Sequence, residues 1–174
     1  MIIILEGLDR LGKSTQAELL SKEFKIPVIH YTSPEDKLPQ TQFKNFVNNY
    51  YEIYKNRLSQ IHDRSIYGEY VYGPMYRKSN PNFIFTIENQ FKELINKSYF
   101  ILIEDSIKNI LKRDDGKSFT INYFKKLKEK WLFRLVFFLS KCKYKKIISI
   151  KNKSIEQVNL EIITFLKSFL RKNI

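Results

Sequence analysis

The sequence has a single cysteine, Cys142, in 174 residues, so it has neither a disulfide framework nor a cysteine-ligated zinc site. Long apolar runs are also missing, because none approaches the ~20 residues that cross a bilayer. Residues 1–5 are apolar but lack the basic flank and the length of a signal peptide. We therefore expect a cytoplasmic protein that does not contact a membrane.

Acidic residues are scarce, with 18 Asp and Glu against 31 Lys and Arg and a net charge of +13. Ala17 is the only alanine, and most of the basic residues are lysines, a composition that an AT-rich genome imposes on any protein. Between Lys108 and Lys153 lie 15 basic residues and three acidic ones. We interpret this segment as a solvated lysine-rich face, with a polyanion partner as the alternative.

Hydrophobic residues make up 43% of the chain, enough for the core of one domain spanning residues 1–174. Apolar runs alternate with helical patterns from end to end. The patterns predict strands at 1–6, 27–31, 58–62, 99–103 and 146–150, helices at 13–24, 40–54, 82–96, 106–112, 119–142 and 155–170, and a loop or turn at 67–76. This alternation predicts an α/β fold in three αβα layers, with a mainly parallel five-stranded sheet and helices on both faces.

The helix predicted over 119–142 carries apolar residues at spacings of three and four, which is typical of an amphipathic helix on a core. The residues that we predict to point inward are Phe124, Leu127, Trp131, Leu135, Phe138 and Cys142.

A phosphate-binding motif follows the first strand. Residues 7–14 match G-x-x-x-x-G-K-[ST], with Gly7 and Gly12 as its glycines and with a helix predicted after it. The backbone N–H groups of such a loop hold phosphates, Lys13 adds a charge at the β/γ-phosphates, and Ser14 offers a hydroxyl to Mg²⁺. The motif therefore predicts an ATP site of the P-loop type.

Two charged residues lie inside this loop. Arg10 can serve as a built-in arginine finger that neutralises charge on the transferring phosphoryl group. Asp9 would repel ATP unless it meets a donor, so it indicates an acceptor with hydroxyl groups close to the reacting centre.

At these residues the sequence resembles thymidylate kinases, above all the eukaryotic and viral type that keeps an arginine in the loop. Residues 5–16, which include Thr15, are very similar to the first motif of that family. Asp63 and Arg64 lie where the family has an Asp-Arg pair, and Glu35 lies in a Pro-Glu segment that resembles the family's own. The resemblance implies that Arg10, Lys13 and Asp9 act in catalysis and that Thr15 contacts ATP. It also implies that Arg64 and Glu35 bind the acceptor monophosphate, that Asp63 and Ser14 order Mg²⁺, and that the protein is a homodimer.

Further candidates line the regions that form the acceptor pocket in this family. We predict that Tyr51, or its neighbours Tyr50 and Tyr54, stacks on the base and that Tyr72 packs against the deoxyribose. Glu69 is a candidate acceptor for a sugar hydroxyl, and Arg77 is a candidate for the acceptor phosphate. Arg113 is the only arginine of the predicted lid, residues 112–118, and is assigned to ATP. Packing or a solvated surface is the alternative for each residue.

Three other polar residues are candidates for metal binding. Asp105 follows an apolar run as a metal-linked acid does, and we favour Asp63 over it because the resemblance assigns the Mg²⁺-linked acid to the Asp-Arg pair. His30 and His62 are far apart without ligand spacing around them, so we expect no zinc site.

The sequence thus predicts transfer of phosphate from ATP, with Mg²⁺, to a deoxynucleoside monophosphate, dTMP first, in the cytoplasm or in a host's cytoplasm if the source is viral. Residues 65–72 also resemble the motif of deoxynucleoside kinases, so phosphorylation of a nucleoside 5′-hydroxyl is the alternative. A third reading is a P-loop protein that uses ATP as a switch and binds nucleic acid through residues 108–153.

Overall fold

The computed structural model describes residues 1–31, 40–56, 58–113 and 120–170. Its strands are β1 (Ile2–Glu6), β2 (Val28–His30), β3 (Gln60–Asp63), β4 (Tyr99–Glu104) and β5 (Tyr144–Ser149). Its α-helices are α1 (Lys13–Phe24), α2 (Gln40–Lys55), α3 (Ile66–Tyr72), α4 (Phe83–Gln90), α5 (Lys92–Asn96), α6 (Ile107–Lys112), α7 (Tyr123–Leu139) and α8 (Ile155–Leu170). A π-helical turn, Gly73–Arg77, continues α3.

The five strands form one parallel sheet in the order β2-β3-β1-β4-β5. Helices α1 and α8 pack on each other, as do α3 and α7, and the sheet lies between helical layers. The predicted α/β class with a five-stranded parallel sheet is therefore confirmed.

β1 is the central strand and is buried along its whole length, as its unbroken apolar run predicts. β3 pairs with one of its edges and β4 with the other, so the strand order changes direction at β1. In open parallel sheets, ligands bind outside the carboxyl ends of the strands at such a switch point. Glu6 and Asp63 end β1 and β3 at this edge.

The prediction of a loop at 67–76 is wrong, because this segment forms α3 and the π-helical turn. Ser65 caps α3 by accepting from the Tyr67 N–H at 3.2 Å. Gly68 brings the helix close to β1, and its N–H donates to Glu6 Oε1 at 3.2 Å. The glycines, tyrosines and β-branched residues of this segment have low helix propensities, so the sequence does not predict a helix here.

Other boundaries also differ from the predictions: α7 spans Tyr123–Leu139 instead of 119–142, and β5 spans Tyr144–Ser149 instead of 146–150. The helix predicted at 82–96 is broken at Phe91, whose φ of −107° and ψ of 30° separate α4 from α5. The third strand begins at Gln60, two residues after the predicted start, and Leu58 is 63% exposed.

The predicted inward face of α7 is also wrong. Phe124, Leu127, Trp131 and Phe138 are 46–77% exposed, and Leu135 is half-buried. Of the predicted set, Cys142 alone is buried, and it lies beyond the end of the helix.

The face that α7 does bury is partly charged. It carries Phe133, Val136, Phe137 and the Lys126–Glu129 ion pair, whose atoms lie 2.9 Å apart and are at most 1% exposed. The Tyr76 hydroxyl donates to Glu129, so the buried carboxylate has two donors. The spacing of apolar residues does not identify this buried face, because two of its residues are a charged pair.

Besides Lys126, five of the 15 basic residues between 108 and 153 have an acidic partner within the molecule. Acidic partners at hydrogen-bond or ion-pair distance are Asp105 for Arg113, Glu104 for Lys130 and Arg134, and Glu161 for Lys146 and Lys153. In the part of the chain that the structure describes, no helix is long and apolar enough to span a membrane.

Candidate active site

The loop between β1 and α1 has the backbone that a phosphate site requires. Gly7 has φ +135°, and a Cβ at this position would lie 2.2 Å from the Ile103 carbonyl oxygen, so no other residue fits. Gly12 has φ +74° and leads into α1 without a side-chain cap. The first N–H groups of α1 are therefore available to an anion in the loop.

Lys13 lies inside this loop. Its ammonium group donates to the carbonyl oxygens of Gly7 at 2.9 Å and Leu8 at 2.6 Å, and the residue is 5% exposed. Burial and the Arg64 charge together lower the pKa of Lys13 to about 8, against the opposite effects of Asp9, Glu6 and Asp63. An anion bound in the loop would raise this pKa again and favour the charged form.

Arg64 directly follows the carboxyl end of β3, and its side chain contacts the phosphate loop. Its guanidinium donates to Asp9 Oδ1 at 2.7 Å, and the two side chains are 30% and 15% exposed. Arg64 has φ +69°, a strained conformation for arginine, and its N–H donates to the Leu5 carbonyl at 3.1 Å. The predicted acceptor residue and the loop acid are therefore one ion pair.

Asp63 is 1% exposed at the end of β3. His30 Nδ1 lies 2.7 Å from its Oδ2, while Oδ1 is buried and has no hydrogen-bond partner among the described residues. Asp105, the rival metal candidate, instead accepts from Arg113 and Asn109. An oxygen donor set of Asp63 and Ser14 suits Mg²⁺, which takes one or two protein ligands besides phosphate and water.

Sequence reasoning missed Glu6, a carboxylate at the loop's entrance. It is 1% exposed and accepts from the Ser65 hydroxyl at 2.8 Å. Burial raises the pKa of Glu6 to about 7, against the lowering effects of the Ser65 hydrogen bond, Lys13 and Arg64. An acid that ends an otherwise apolar buried strand is the sequence signal that identifies it.

The raised pKa of Glu6 predicts that the stability of the fold depends on pH. Between an unfolded pKa near 4.5 and a folded pKa of about 7, the native protein holds a proton that the unfolded chain releases. We expect the free energy of unfolding to fall by about 1 to 3 kcal/mol as pH rises through this window. Glu6→Gln should flatten the dependence in urea titrations, and the exposed Glu18→Gln should leave it intact. An unchanged slope in Glu6→Gln would contradict the assignment.

A cavity between the loop, β3 and α3 is a candidate acceptor pocket, which has aromatic and polar walls. Tyr31 and Tyr50 are stacked at 4.8 Å between ring centroids, and Tyr72 meets Phe133 edge-on at 5.6 Å. The residues that line the cavity are Glu6, Gly7, Tyr31, Tyr50, Arg64, Ser65, Gly68, Glu69 and Tyr72. Tyr51 is not among them and packs against Phe91, whereas Tyr50, one of the two predicted alternatives, lines the cavity.

Glu69 and Arg77 form a buried ion pair at this pocket, with 2.5 Å between Oε1 and the guanidinium. Burial raises the pKa of Glu69, and Arg77 opposes the shift. Glu69 Oε2 has no hydrogen-bond partner among the described residues. Arg77 donates one nitrogen to Glu69, and its buried Nε and Nη1 have no hydrogen-bond partner among the described residues.

A second cavity, of about 260 Å³, lies on the other side of the loop. It brings together Arg10, Gly12, Thr15 and Arg113, four of the predicted ATP-binding residues. Arg113 also donates to Asp105 Oδ2 at 2.8 Å, which holds its guanidinium beside the carboxyl end of β4. Glu35 and most of the predicted lid lie outside the described residues.

The second cavity also contains residues that the sequence did not single out. Lys153 and Ser154 line it from the turn after β5, and Gln16 lines it from α1. Gln16 Nε2 donates to the Ile155 carbonyl at 3.0 Å and its Oε1 accepts from Asn159 at 3.1 Å, so it joins α1 to α8. Lys153 and Ser154 follow the carboxyl end of the last strand, and this position is the sequence signal that could have identified them.

Comparison with known proteins gives matches at the level of structure. No family model matches the chain, and no curated protein matches its sequence. The YorR protein from Bacillus subtilis, solved in complex with phosphorylated GDP, has a TM-score of 0.77, 23% identity and 96% coverage of both chains. The chain has the fold of P-loop kinases.

Two other structures support this fold. Thymidylate kinase from Candida albicans has a TM-score of 0.64 and 19% identity, with 96% of this chain and 91% of that chain covered. Deoxyadenosine kinase from M. mycoides, with dCMP and dCDP bound, has a TM-score of 0.58 and 16% identity, with 97% and 100% covered. P-loop kinases with different acceptors thus share this fold with the chain.

Proposed function

We propose that this protein transfers the γ-phosphoryl group of ATP to a deoxynucleoside monophosphate and releases ADP and the diphosphate. The first candidate for this acceptor is dTMP. The observation that carries the proposal is the position of Arg64. Its guanidinium lines the acceptor pocket and contacts Asp9 in the phosphate loop, so it stands between donor and acceptor. A planar guanidinium binds two phosphate oxygens at once, which a neutral nucleoside does not require.

On the donor side, the loop N–H groups and Lys13 bind the triphosphate. Lys13 exchanges its two carbonyl acceptors for phosphate oxygens and holds its proton there, because the phosphate charge offsets the burial. Arg10 neutralises charge on the phosphoryl group during transfer. The acceptor phosphate is already anionic, so the transfer needs positioning and charge neutralisation but no general base.

Asp63 and Ser14 are the residues that would hold Mg²⁺, because the buried Asp63 Oδ1 is an acceptor without a donor among the described residues. When bound, the ion neutralises charge on the phosphates. His30 holds the other Asp63 oxygen and so fixes the orientation of the carboxylate.

The walls of the acceptor pocket suit a nucleoside. The stacked Tyr31 and Tyr50 give an aromatic surface for a base, and Tyr72 gives bulk beside the sugar. Glu69 Oε2 is a buried acceptor for a hydroxyl or an amino group of the ligand. Arg77 holds Glu69 in place and opposes the rise in its pKa that burial causes.

The Arg64→Lys variant tests the proposal. It keeps the charge but loses the two-point geometry, so the KM for the monophosphate should rise at least ~10-fold. The KM for ATP should stay nearly unchanged, because the loop and Lys13 bind ATP. Arg134→Lys is the matched control, since Arg134 is a bidentate arginine, on Glu104, outside both pockets. A rise confined to the KM for ATP would contradict the assignment.

A second function, phosphorylation of a deoxynucleoside 5′-hydroxyl, is favoured by Glu6. A hydroxyl must lose a proton during transfer, and a carboxylate with a pKa near neutrality in the acceptor pocket is a suitable general base. In that case Glu6→Gln should abolish turnover, whereas a monophosphate kinase should keep most of its kcat in this variant. An assay that shows whether the monophosphate or the nucleoside is phosphorylated decides between the two functions.

A further inference from the structure

We propose that Asp105 is a positioning residue for the donor nucleotide, which holds the Arg113 guanidinium at the second cavity before ATP binds there. The sequence singles out Asp105 as a rival metal ligand, and the proposed function gives it no role. We rest this role on the proposed function only for the binding of ATP in the second cavity, which Arg10, Thr15 and Arg113 line. The identity of the acceptor does not enter.

Asp105 is firmly held at the carboxyl end of β4, and its side chain is 0% exposed. Its Oδ1 accepts from the Ser106 N–H at 2.6 Å and from Asn109 Nδ2 at 2.9 Å. Lys130 of α7 donates to its backbone carbonyl at 2.8 Å. Contacts from α6 and α7 therefore keep the carboxylate in one orientation at the end of the sheet.

The other carboxylate oxygen of Asp105 accepts from the Arg113 guanidinium at 2.8 Å. Arg113 follows the last residue of α6, and its side chain returns past this six-residue helix to the acid that lies before it. The Arg113 side chain is 42% exposed and lines the second cavity. A guanidinium has five N–H groups, so a bond through one nitrogen leaves other donors for a nucleotide.

The bond between Asp105 and Arg113 has two opposite effects on ATP binding. A long side chain that is free to rotate loses this freedom when it contacts a ligand, and a bond that fixes it beforehand reduces the loss. The carboxylate also offsets positive charge beside the triphosphate. Because ionic strength weakens the charge effect and leaves the conformational effect, we expect preorganisation to dominate at ~0.3 M salt.

A metal-binding role fits Asp105 less well than this one. Both of its carboxylate oxygens already accept hydrogen bonds, so an ion would have to displace Arg113 or the donors on Oδ1. Asp63 Oδ1, in contrast, is buried without a donor among the described residues. The acid at the end of β4 therefore suits an arginine partner, and the acid at the end of β3 suits Mg²⁺.

The Asp105→Asn variant tests this role with almost no change in shape. The asparagine oxygen can keep the bonds from Ser106 and Asn109, while the amide nitrogen presents a donor to the donors of Arg113. We expect the Kd for ATP, measured by calorimetry without an acceptor at ~0.3 M salt, to rise about tenfold. Circular dichroism and urea titration should show that the variant is folded.

Glu104→Gln is the matched control. Glu104 is the neighbouring buried acid at the end of β4, and its partner is Arg134, which does not line the second cavity. This variant also loses a carboxylate beside a guanidinium. It should keep the Kd of the parent protein for ATP.

A double-mutant cycle shows whether Asp105 acts through Arg113. In an Arg113→Ala background, Asp105→Asn should no longer weaken ATP binding, because the group that it positions has been removed. The ratio of Kd values between the parent protein and Asp105→Asn should also persist in EDTA, since the effect does not require a metal ion.

The other outcomes contradict the proposal in distinguishable ways. An unchanged or lower Kd in Asp105→Asn at the same salt would show that the bond does not favour ATP binding. An equal loss in the Arg113→Ala background would show a general structural effect, and a loss that EDTA abolishes would identify Asp105 as a metal ligand. Failure of the parent protein itself to bind ATP would overturn the proposed function together with this role, whereas the three preceding results overturn this role alone.

Discussion

Lys13→Ala should lower kcat by at least ~10³-fold, because it removes the only ammonium group placed inside the phosphate loop. The variant should remain folded, since the buried Glu6 keeps its hydrogen bonds from Ser65 and from the Gly68 N–H. Steady-state ADP release with ATP and dTMP measures the loss.

Lys22→Ala is the matched control for this variant, because Lys22 is an exposed lysine of the same helix. It should keep full activity. A Lys13→Ala enzyme within tenfold of the parent would show that the loop does not bind the reacting phosphates.

Arg10→Gly should lower kcat by ~10³-fold or more if Arg10 is the built-in arginine finger. Arg10 has φ +65°, a conformation that glycine adopts without strain, so the loop should keep its shape. Single-turnover rates and the Kd for ATP separate catalysis from binding. A loss confined to ATP affinity would make Arg10 a ground-state contact and would assign the transition-state charge to other residues, Arg113 first.

The parts of the structure that follow from local rules were predicted from the sequence. β1, the phosphate loop and α1 depend on a buried apolar run, on glycines with positive φ and on a helix start, and all three are confirmed. The structure also brings Arg64 to Asp9 and Arg10 to Arg113, pairs that are distant along the chain.

The errors arise where tertiary contacts override local patterns. α3 is held on β1 by the Gly68 N–H, which donates to Glu6, a contact between residues 62 positions apart that no window of sequence shows. Its Ser65 cap is local, and the sequence analysis overlooked this signal. The face of α7 was misassigned because it is completed by the buried Lys126–Glu129 pair. Glu6 was missed because its environment comes from β3 and α3 and not from its neighbours in sequence.

The Glu69–Arg77 pair illustrates a limit at the site itself. Both residues were candidates for separate ligand groups, but the π-helical turn places them on each other. Sequence indicates which residues can bind a ligand, whereas the backbone decides which of them are already paired.

The measurement that tests the central claim most directly is ADP release from ATP across all nucleosides and nucleoside monophosphates, with the Arg64→Lys variant run in parallel. The proposal predicts turnover with one or more deoxynucleoside monophosphates, dTMP first, no turnover with the parent nucleosides, and a raised monophosphate KM in the variant. Rapid phosphorylation of a deoxynucleoside with its monophosphate inert would contradict the proposal and would identify Glu6 as the base of a nucleoside kinase.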